Sequence, residues 1–193
     1  MQDIDNYTWP KANLKSRLLG LKEQAIKARN ENKIVIMKGL CAGIFEMGQR
    51  LRGMENFLCD LLLDKKLASK ILDKILELKL EFWEMAISEL GEYIDIIVET
   101  DDYGTQESQL ISKSTYQELI EPRLRYLIYS VKQKLQEQKK NGEKGYFLFH
   151  SCGNVRPLIE SFIGMGIDII NPVHITVEDM APAELKKDFG NDI

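Results

Sequence analysis

Apolar positions along this chain change their period several times, and each change marks an element. Leu14, Leu18, Leu21, Ala25 and Ile26 recur at spacings of three and four, the stripe of an amphipathic helix ending near Asn30. Before it, Trp9-Pro10 predicts an extended lead-in over residues 3–11, because the residue preceding a proline is pushed away from helical torsions. The period then breaks into the short apolar run Ile34, Val35, Ile36, Met37, the pattern of a strand buried on both faces, with Gly39, Leu40, Cys41, Ala42 and Gly43 as its loop. Helices are predicted over 44–52 and 55–63, broken at Gly53. A long helix follows, carried by Leu67, Ile71, Ile75, Leu78, Phe82, Ala86 and Leu90 and ended by Gly91.

The second half repeats the alternation. A strand over 94–99 runs into the polar segment Thr100, Asp101, Asp102, Tyr103, Gly104, Thr105 and Gln106. Ser114-Thr115-Tyr116-Gln117 fits a capping box for a helix reaching about residue 140, bent at Pro122 and ended by Asn141-Gly142. Strands over 146–150 and 167–171 flank a helix over 157–165, and a last helix over 182–189 stops at Gly190. Apolar, β-branched strands alternating with helices predict an α/β fold with a parallel sheet, either open or closed into a barrel. Four strands are too few for an eight-stranded barrel, which takes about 250 residues, so the barrel reading makes this one domain over 1–193 a partial barrel. Asn191-Asp192-Ile193 then reads as the approach to a further strand. An incomplete barrel has open sheet edges that invite pairing, so a homo-oligomer is expected, with a truncated binding or assembly module as the non-enzymatic reading. No linker, low-complexity tract or repeat interrupts the pattern.

Composition narrows the function classes. With 193 residues, 44% of them hydrophobic, the chain can bury a core without disulfide or metal staples. A formal net charge of −4 argues against a nucleic-acid partner, which calls for a basic face. Three widely spaced cysteines, Cys41, Cys59 and Cys152, do not form the even framework of a secreted scaffold, and a reducing cytoplasm is expected. The acidic N-terminus is unlike a signal peptide, and no apolar run reaches the ~20 residues of a membrane span.

Ligands of parallel α/β sheets lie beyond the carboxyl ends of the strands. The residues there are Cys41 after the first strand, Glu99, Asp101, Asp102 and Gln106 around the end of the second, His150 and Cys152 after the third, and Asn171 and His174 after the fourth. His150-Ser151-Cys152-Gly153 places an imidazole and a thiol two residues apart, so both can point to one side of a strand end and ligate zinc. The plain alternative is a hydrogen-bonded histidine beside an inert thiol. A catalytic zinc takes three protein ligands, and Glu99, Asp101 or Cys41 can supply the third. Asp101 and Asp102 read as a binding or proton-transfer pair sharing one site, or as a solvated loop or helix cap. Gly104 would let backbone approach a ligand, while Gly39 and Gly43 suit ordinary turns. Arg50 and Arg52 can bind a carboxylated substrate or form interhelical ion pairs. Lys132, Lys134, Lys139 and Lys140 read as the solvated face of a helix, and Met47, Met54 and Met85 as core filling.

Several segments in one order resemble the uroporphyrinogen decarboxylase superfamily: Trp9-Pro10, the Gly39 loop, Leu51-Arg52-Gly53-Met54-Glu55, Asp102-Tyr103-Gly104-Thr105-Gln106, Tyr116 through Pro122, His150-Ser151-Cys152-Gly153 with Pro157-Leu158-Ile159, Gly166-Ile167-Asp168 to Asn171-Pro172, and Glu184-Leu185-Lys186 to Gly190. The resemblance implies a distorted (β/α)8 barrel, with this chain as a central segment or shortened member. From their place at the strand ends, Asp101 and Asp102 are the candidate catalytic residues and Gln106, Tyr103 and Asn171 the candidate substrate contacts. The cobamide-dependent methyltransferase branch is the nearer in motif. There His150 and Cys152 would match two zinc ligands, with a downstream cysteine beyond Ile193 as the third, and the zinc would activate an acceptor thiol toward a methyl group on a corrinoid carried by a partner protein. The decarboxylase branch would use no metal and would hold a tetrapyrrole with arginines, and its arginine-rich N-terminal signature is absent from this sequence.

Overall fold

The computed structural model describes residues 2–140 and 142–193 of the chain. Their elements run in the order α1 (Gln2–Asn6), α2 (Leu21–Asn30), β1 (Ile36–Lys38), α3 (Ile44–Arg52), α4 (Met54–Leu63), α5 (Lys65–Leu90), β2 (Ile96–Thr100), α6 (Lys113–Thr115), α7 (Glu121–Gln138), β3 (Tyr146–His150), α8 (Ile159–Met165), β4 (Ile169–Asn171) and α9 (Pro182–Phe189). The four strands form one parallel sheet in the order β1-β2-β3-β4, the neighbour-to-neighbour order of a barrel wall.

Alternation along the strands decides what each face meets. On β2 the buried residues are Ile97 and Glu99, and on β3 they are Phe147 and Phe149. These face the helical layer, where α5 and α7 pack with Leu72, Phe82, Trp83, Leu127, Ile128 and Val131 in one continuous core. Residues of the opposite parity, Ile96, Val98 and Thr100 on β2 and Leu148 and His150 on β3, are only half-buried on the other face.

Most expected elements are present, with shifted ends. The first strand starts two residues late. Asp95 N and Ile96 N donate to Val35 O, but Ile34 lies outside the ladder and is 67% exposed. The fourth begins at Ile169. The lead-in is not extended throughout: Gln2–Asn6 is helical, and Trp9 Nε1 donates to Ile4 O at 3.1 Å, holding the ring against that turn. The expected helix over 14–30 is split, a 3-10 turn at Lys15–Leu18 ending before Gly20, whose φ of 74° lies in the left-handed region.

The capping box expected at Ser114 is displaced to Ser112, whose Oγ accepts from Thr115 N at 3.1 Å. Pro122 then follows a π-turn, Tyr116–Ile120, which absorbs the missing amide donor at the start of α7. Asn141, expected to end that helix with Gly142, lies outside the described residues. Among the expected core methionines, Met85 is buried and Met47 packs against the core, but Met54 opens α4 and is 48% exposed. The lysines of α7 and its C-terminal cap are not a uniformly solvated face. Lys132 bonds Gly166 O and Asp168, and Lys139 bonds Ile94 O, tying the helix to strand approaches.

No helix among the described residues is long and apolar enough to cross a membrane.

Candidate metal centre

β2 and β3 run in register with Thr100 opposite His150. The pairing continues past the assigned ends, Asp101 N donating to His150 O at 2.9 Å and Ser151 N to Asn171 O at 3.0 Å. Two residues beyond the Thr100–His150 pair, Asp102 and Cys152 therefore lie side by side, and Cys152 N donates to Asp102 Oδ1 at 2.8 Å. Alternation sends Asp102, His150 and Cys152 to the half-buried face, while Asp101 and Ser151 turn toward the helices and are fully buried.

The three exposed-face groups converge. Cys152 Sγ lies 3.4 Å from His150 Nε2, which lies 3.8 Å from Asp102 Oδ1, and one ligand atom from each residue falls within 4.8 Å of the others. Zinc bonds of about 2.0–2.3 Å at tetrahedral angles place neighbouring ligand atoms roughly 3.3–3.8 Å apart, so this thiol, imidazole and carboxylate fit the ion in spacing and in donor chemistry. Asn171 Oδ1 accepts from His150 Nδ1 at 2.7 Å, which puts the ring proton on Nδ1 and leaves the Nε2 lone pair aimed at the cluster. Burial first, and then the Asp102 carboxylate, push the Cys152 thiol up from its ordinary value. Without a cation it keeps its proton at neutral pH, whereas a bound divalent ion reverses that preference.

The other residues expected at the site have different surroundings. Asp101 and Asp102 do not share a site. Asp101 accepts from Phe45 N at 2.9 Å, Glu46 N at 2.8 Å and the Tyr103 hydroxyl at 2.8 Å, so it caps α3 from a neighbouring strand. Position 43 at the start of α3 is glycine and has no capping side chain, and a Cβ there would collide with the Asp101 carboxylate. Burial pushes Asp101 up to about 7, against the downward pull of those three donors and of Lys79.

Glu99, expected as a candidate third ligand, is committed elsewhere. Its oxygens accept from Lys79 Nζ at 2.6 Å and Trp83 Nε1 at 2.5 Å inside the helical layer. Burial alone would lower Lys79, but Glu99 and then Cys41 outweigh it and raise it above its ordinary value. Cys41 sits beside this pair, its thiol pushed up chiefly by burial. Tyr103, expected to contact substrate, is fully buried, stacked on Phe149 with ring centroids 6.2 Å apart. Asn171 Oδ1 bonds His150 while the residue itself stays exposed, and Gln106 is exposed on the loop after β2. His174 Nδ1 accepts from Gly153 N at 3.4 Å. Gly104 meets backbone, not ligand: Gly153, at φ 82°, packs directly on it, and neither position has room for a Cβ. Arg50 and Arg52 pair with Glu46 and Asp60.

Asp102 is the member of this cluster that reading the chain alone did not assign as a candidate ligand. Its signal was parity: if the strand ending at Thr100 and the strand ending at His150 are neighbours in register, positions 102 and 152 share a face.

A four-stranded parallel wall with polar groups at its carboxyl ends is part of a (β/α)8 barrel. The chain matches the model of the uroporphyrinogen decarboxylase (URO-D) family over residues 1–190, and it belongs to that family. Among solved structures, a methyltransferase from Methanosarcina mazei superposes with a TM-score of 0.63 at 18% sequence identity, over 88% of this chain and 46% of that one. The shared feature is the fold, of which this chain spans about half the relative's length. No curated protein matches the chain.

Proposed function

We propose that this chain carries the zinc site of a methyltransferase that moves a methyl group from a corrinoid on a partner protein to a thiol or similar acceptor. The observation that supports this reading is the Asp102, His150 and Cys152 cluster, which has coordination spacing and lies at the carboxyl end of the sheet. A zinc held there would supply the Lewis acidity that deprotonates an acceptor thiol. The chain's own groups set the stage for it. Asn171 fixes the imidazole tautomer, the Cys152 amide orients the Asp102 carboxylate, and Asp101 anchors the start of α3 beneath the loop that carries Asp102.

The metal-free decarboxylation of a tetrapyrrole has less support, because Arg50 and Arg52, which could otherwise hold carboxylates, form ion pairs with Glu46 and Asp60. The assay that separates the two offers methylcobalamin with a simple alkanethiol, with and without zinc, and uroporphyrinogen in parallel. The reading expects zinc-dependent thioether formation that is lost in Cys152→Ser. Metal-independent release of carbon dioxide from the tetrapyrrole, with no thioether, overturns it.

A further inference from the structure

The register of β3 and β4 continues past the ends of both strands. Leu148 stands opposite Ile169 and His150 opposite Asn171, an offset of 21 residues. The same offset of 21 relates two contacts made by side chains: His150 Nδ1 donates to Asn171 Oδ1 at 2.7 Å, and three residues further on Gly153 N donates to His174 Nδ1 at 3.4 Å. The chain leaving β4 therefore reaches both ends of the turn His150-Ser151-Cys152-Gly153. Cys152 lies between two tied peptide units. Its own N–H donates to Asp102 Oδ1 at 2.8 Å, and the N–H of the unit that follows it is the one His174 accepts. Peptide units are planar, so holding the two that flank an α-carbon fixes the direction of its side chain. The next amides outward are held as well, Ser151 N by Asn171 O at 3.0 Å and Asn154 N by Thr105 O at 2.8 Å.

Gly153 is buried, so its amide needs an acceptor, and His174 Nδ1 is the one it has. Accepting there places the ring proton of the neutral imidazole on Nε2. His174 is itself anchored. Its carbonyl accepts from Val177 N at 2.9 Å, and Val177 and Met180, further along the same loop, lie in the core with 5% and 0% exposure. Its ring is outside the cluster of converging ligand atoms, so whatever it does for that cluster passes through the backbone.

We propose that His174 is a positioning residue for Cys152, holding the Gly153 amide so that the thiol points at Asp102 and His150. The inference rests on the zinc reading of those three residues and adds to it a group that orients the thiol as Asn171 orients the imidazole.

Two measurements on the full 193-residue chain test it, with His174→Ala and His174→Asn beside wild type. Asparagine Oδ1 stands as many bonds from its α-carbon as histidine Nδ1 and also accepts a hydrogen bond, so it can replace the tie without replacing the ring. Competition against a chromogenic chelator reads zinc affinity, expected to fall about 10-fold or more in His174→Ala and to stay near wild type in His174→Asn. Amide hydrogen exchange on metal-free protein reads the Gly153 N–H itself. It is expected to quicken about 10-fold or more in His174→Ala alone, while the amides of β3 keep their rates, which separates local release from unfolding. An asparagine variant that binds zinc as weakly as the alanine variant overturns the proposal, because the ring would then act by another route. So does a His174→Ala protein whose zinc affinity is unchanged, whether or not Gly153 exchanges faster. Zinc absent from wild type refutes the metal reading by itself, and the exchange rates then decide whether His174 holds the turn.

Discussion

Asp101 and Asp102 are adjacent in the chain yet serve opposite faces of the sheet, one capping α3 inside the helical layer and the other joining His150 and Cys152 on the half-buried face. Strand alternation alone produces this division, since successive side chains of an extended segment point to opposite sides. The two carboxylates therefore predict different consequences when each is changed.

Asp101 governs stability and its pH dependence. In the folded chain it keeps its proton to about pH 7, while an ordinary aspartate gives it up near 3.8. Between these values the folded state binds more protons than the unfolded one, so stability from this residue is complete below about pH 4 and falls as pH rises toward 7. The change amounts to a few kcal/mol at most. Urea midpoints measured from pH 4 to 8 should decline more steeply in wild type than in Asp101→Asn, which also loses part of the α3 cap, worth about 1 kcal/mol. Parallel profiles for the two proteins would count against this role.

Lys79 and Glu99 form a buried ion pair, exposed by only 1% and 2%. Removing one partner leaves an uncompensated charge, so Lys79→Met should cost about 3–5 kcal/mol in chemical denaturation. Adding Glu99→Gln to that variant should recover part of the loss, because glutamine removes the charge and still offers an oxygen to Trp83 Nε1. A double variant no more stable than Lys79→Met would show that the pair's charges are not the source of the cost.

At the proposed zinc site Asn171 would act on metal affinity through the tautomer of His150. Asn171→Ala should weaken zinc binding roughly 10–100-fold, the usual effect of losing the group that orients a histidine ligand. Competition against a chromogenic chelator measures this, and thermal stability of the metal-free protein should barely move, since Asn171 is exposed. Unchanged affinity would mean that the ring is held by other contacts.

Gly153 tests the loop that follows the site. Its φ of 82° and its contact with Gly104 leave no room for a side chain, so Gly153→Ala should destabilise the fold by more than about 1 kcal/mol, read from the denaturant midpoint. A neutral result would show that the two backbone segments can separate freely.

How far the chain alone disclosed this arrangement differs from element to element. Long periodic segments were legible: the stripe through Leu67 to Leu90 gave α5, and Tyr146 to His150 matched β3 at both ends. The starts of β1 and β4 were not, because an apolar run does not say which of its residues pair, and Ile34 is apolar yet unpaired. Ser112 was missed as a cap because Ser114 fits the same local pattern, and only the hydrogen bond distinguishes them. At the site, His150 and Cys152 were visible as a pair on one strand. The carboxylate beside them depends on the register between two strands nearly fifty residues apart, as does the removal of Glu99 into the helical layer by Lys79 and Trp83.

In the proposed site Asp102, His150 and Cys152 together hold one zinc. The most direct test is elemental analysis of protein purified without chelators or a histidine tag, comparing wild type with His150→Ala, Asp102→Ala and Glu99→Gln. About one zinc per chain is expected in wild type and in Glu99→Gln, with little in the other two. Zinc absent from wild type, or retained in Asp102→Ala and lost in Glu99→Gln, would contradict the account.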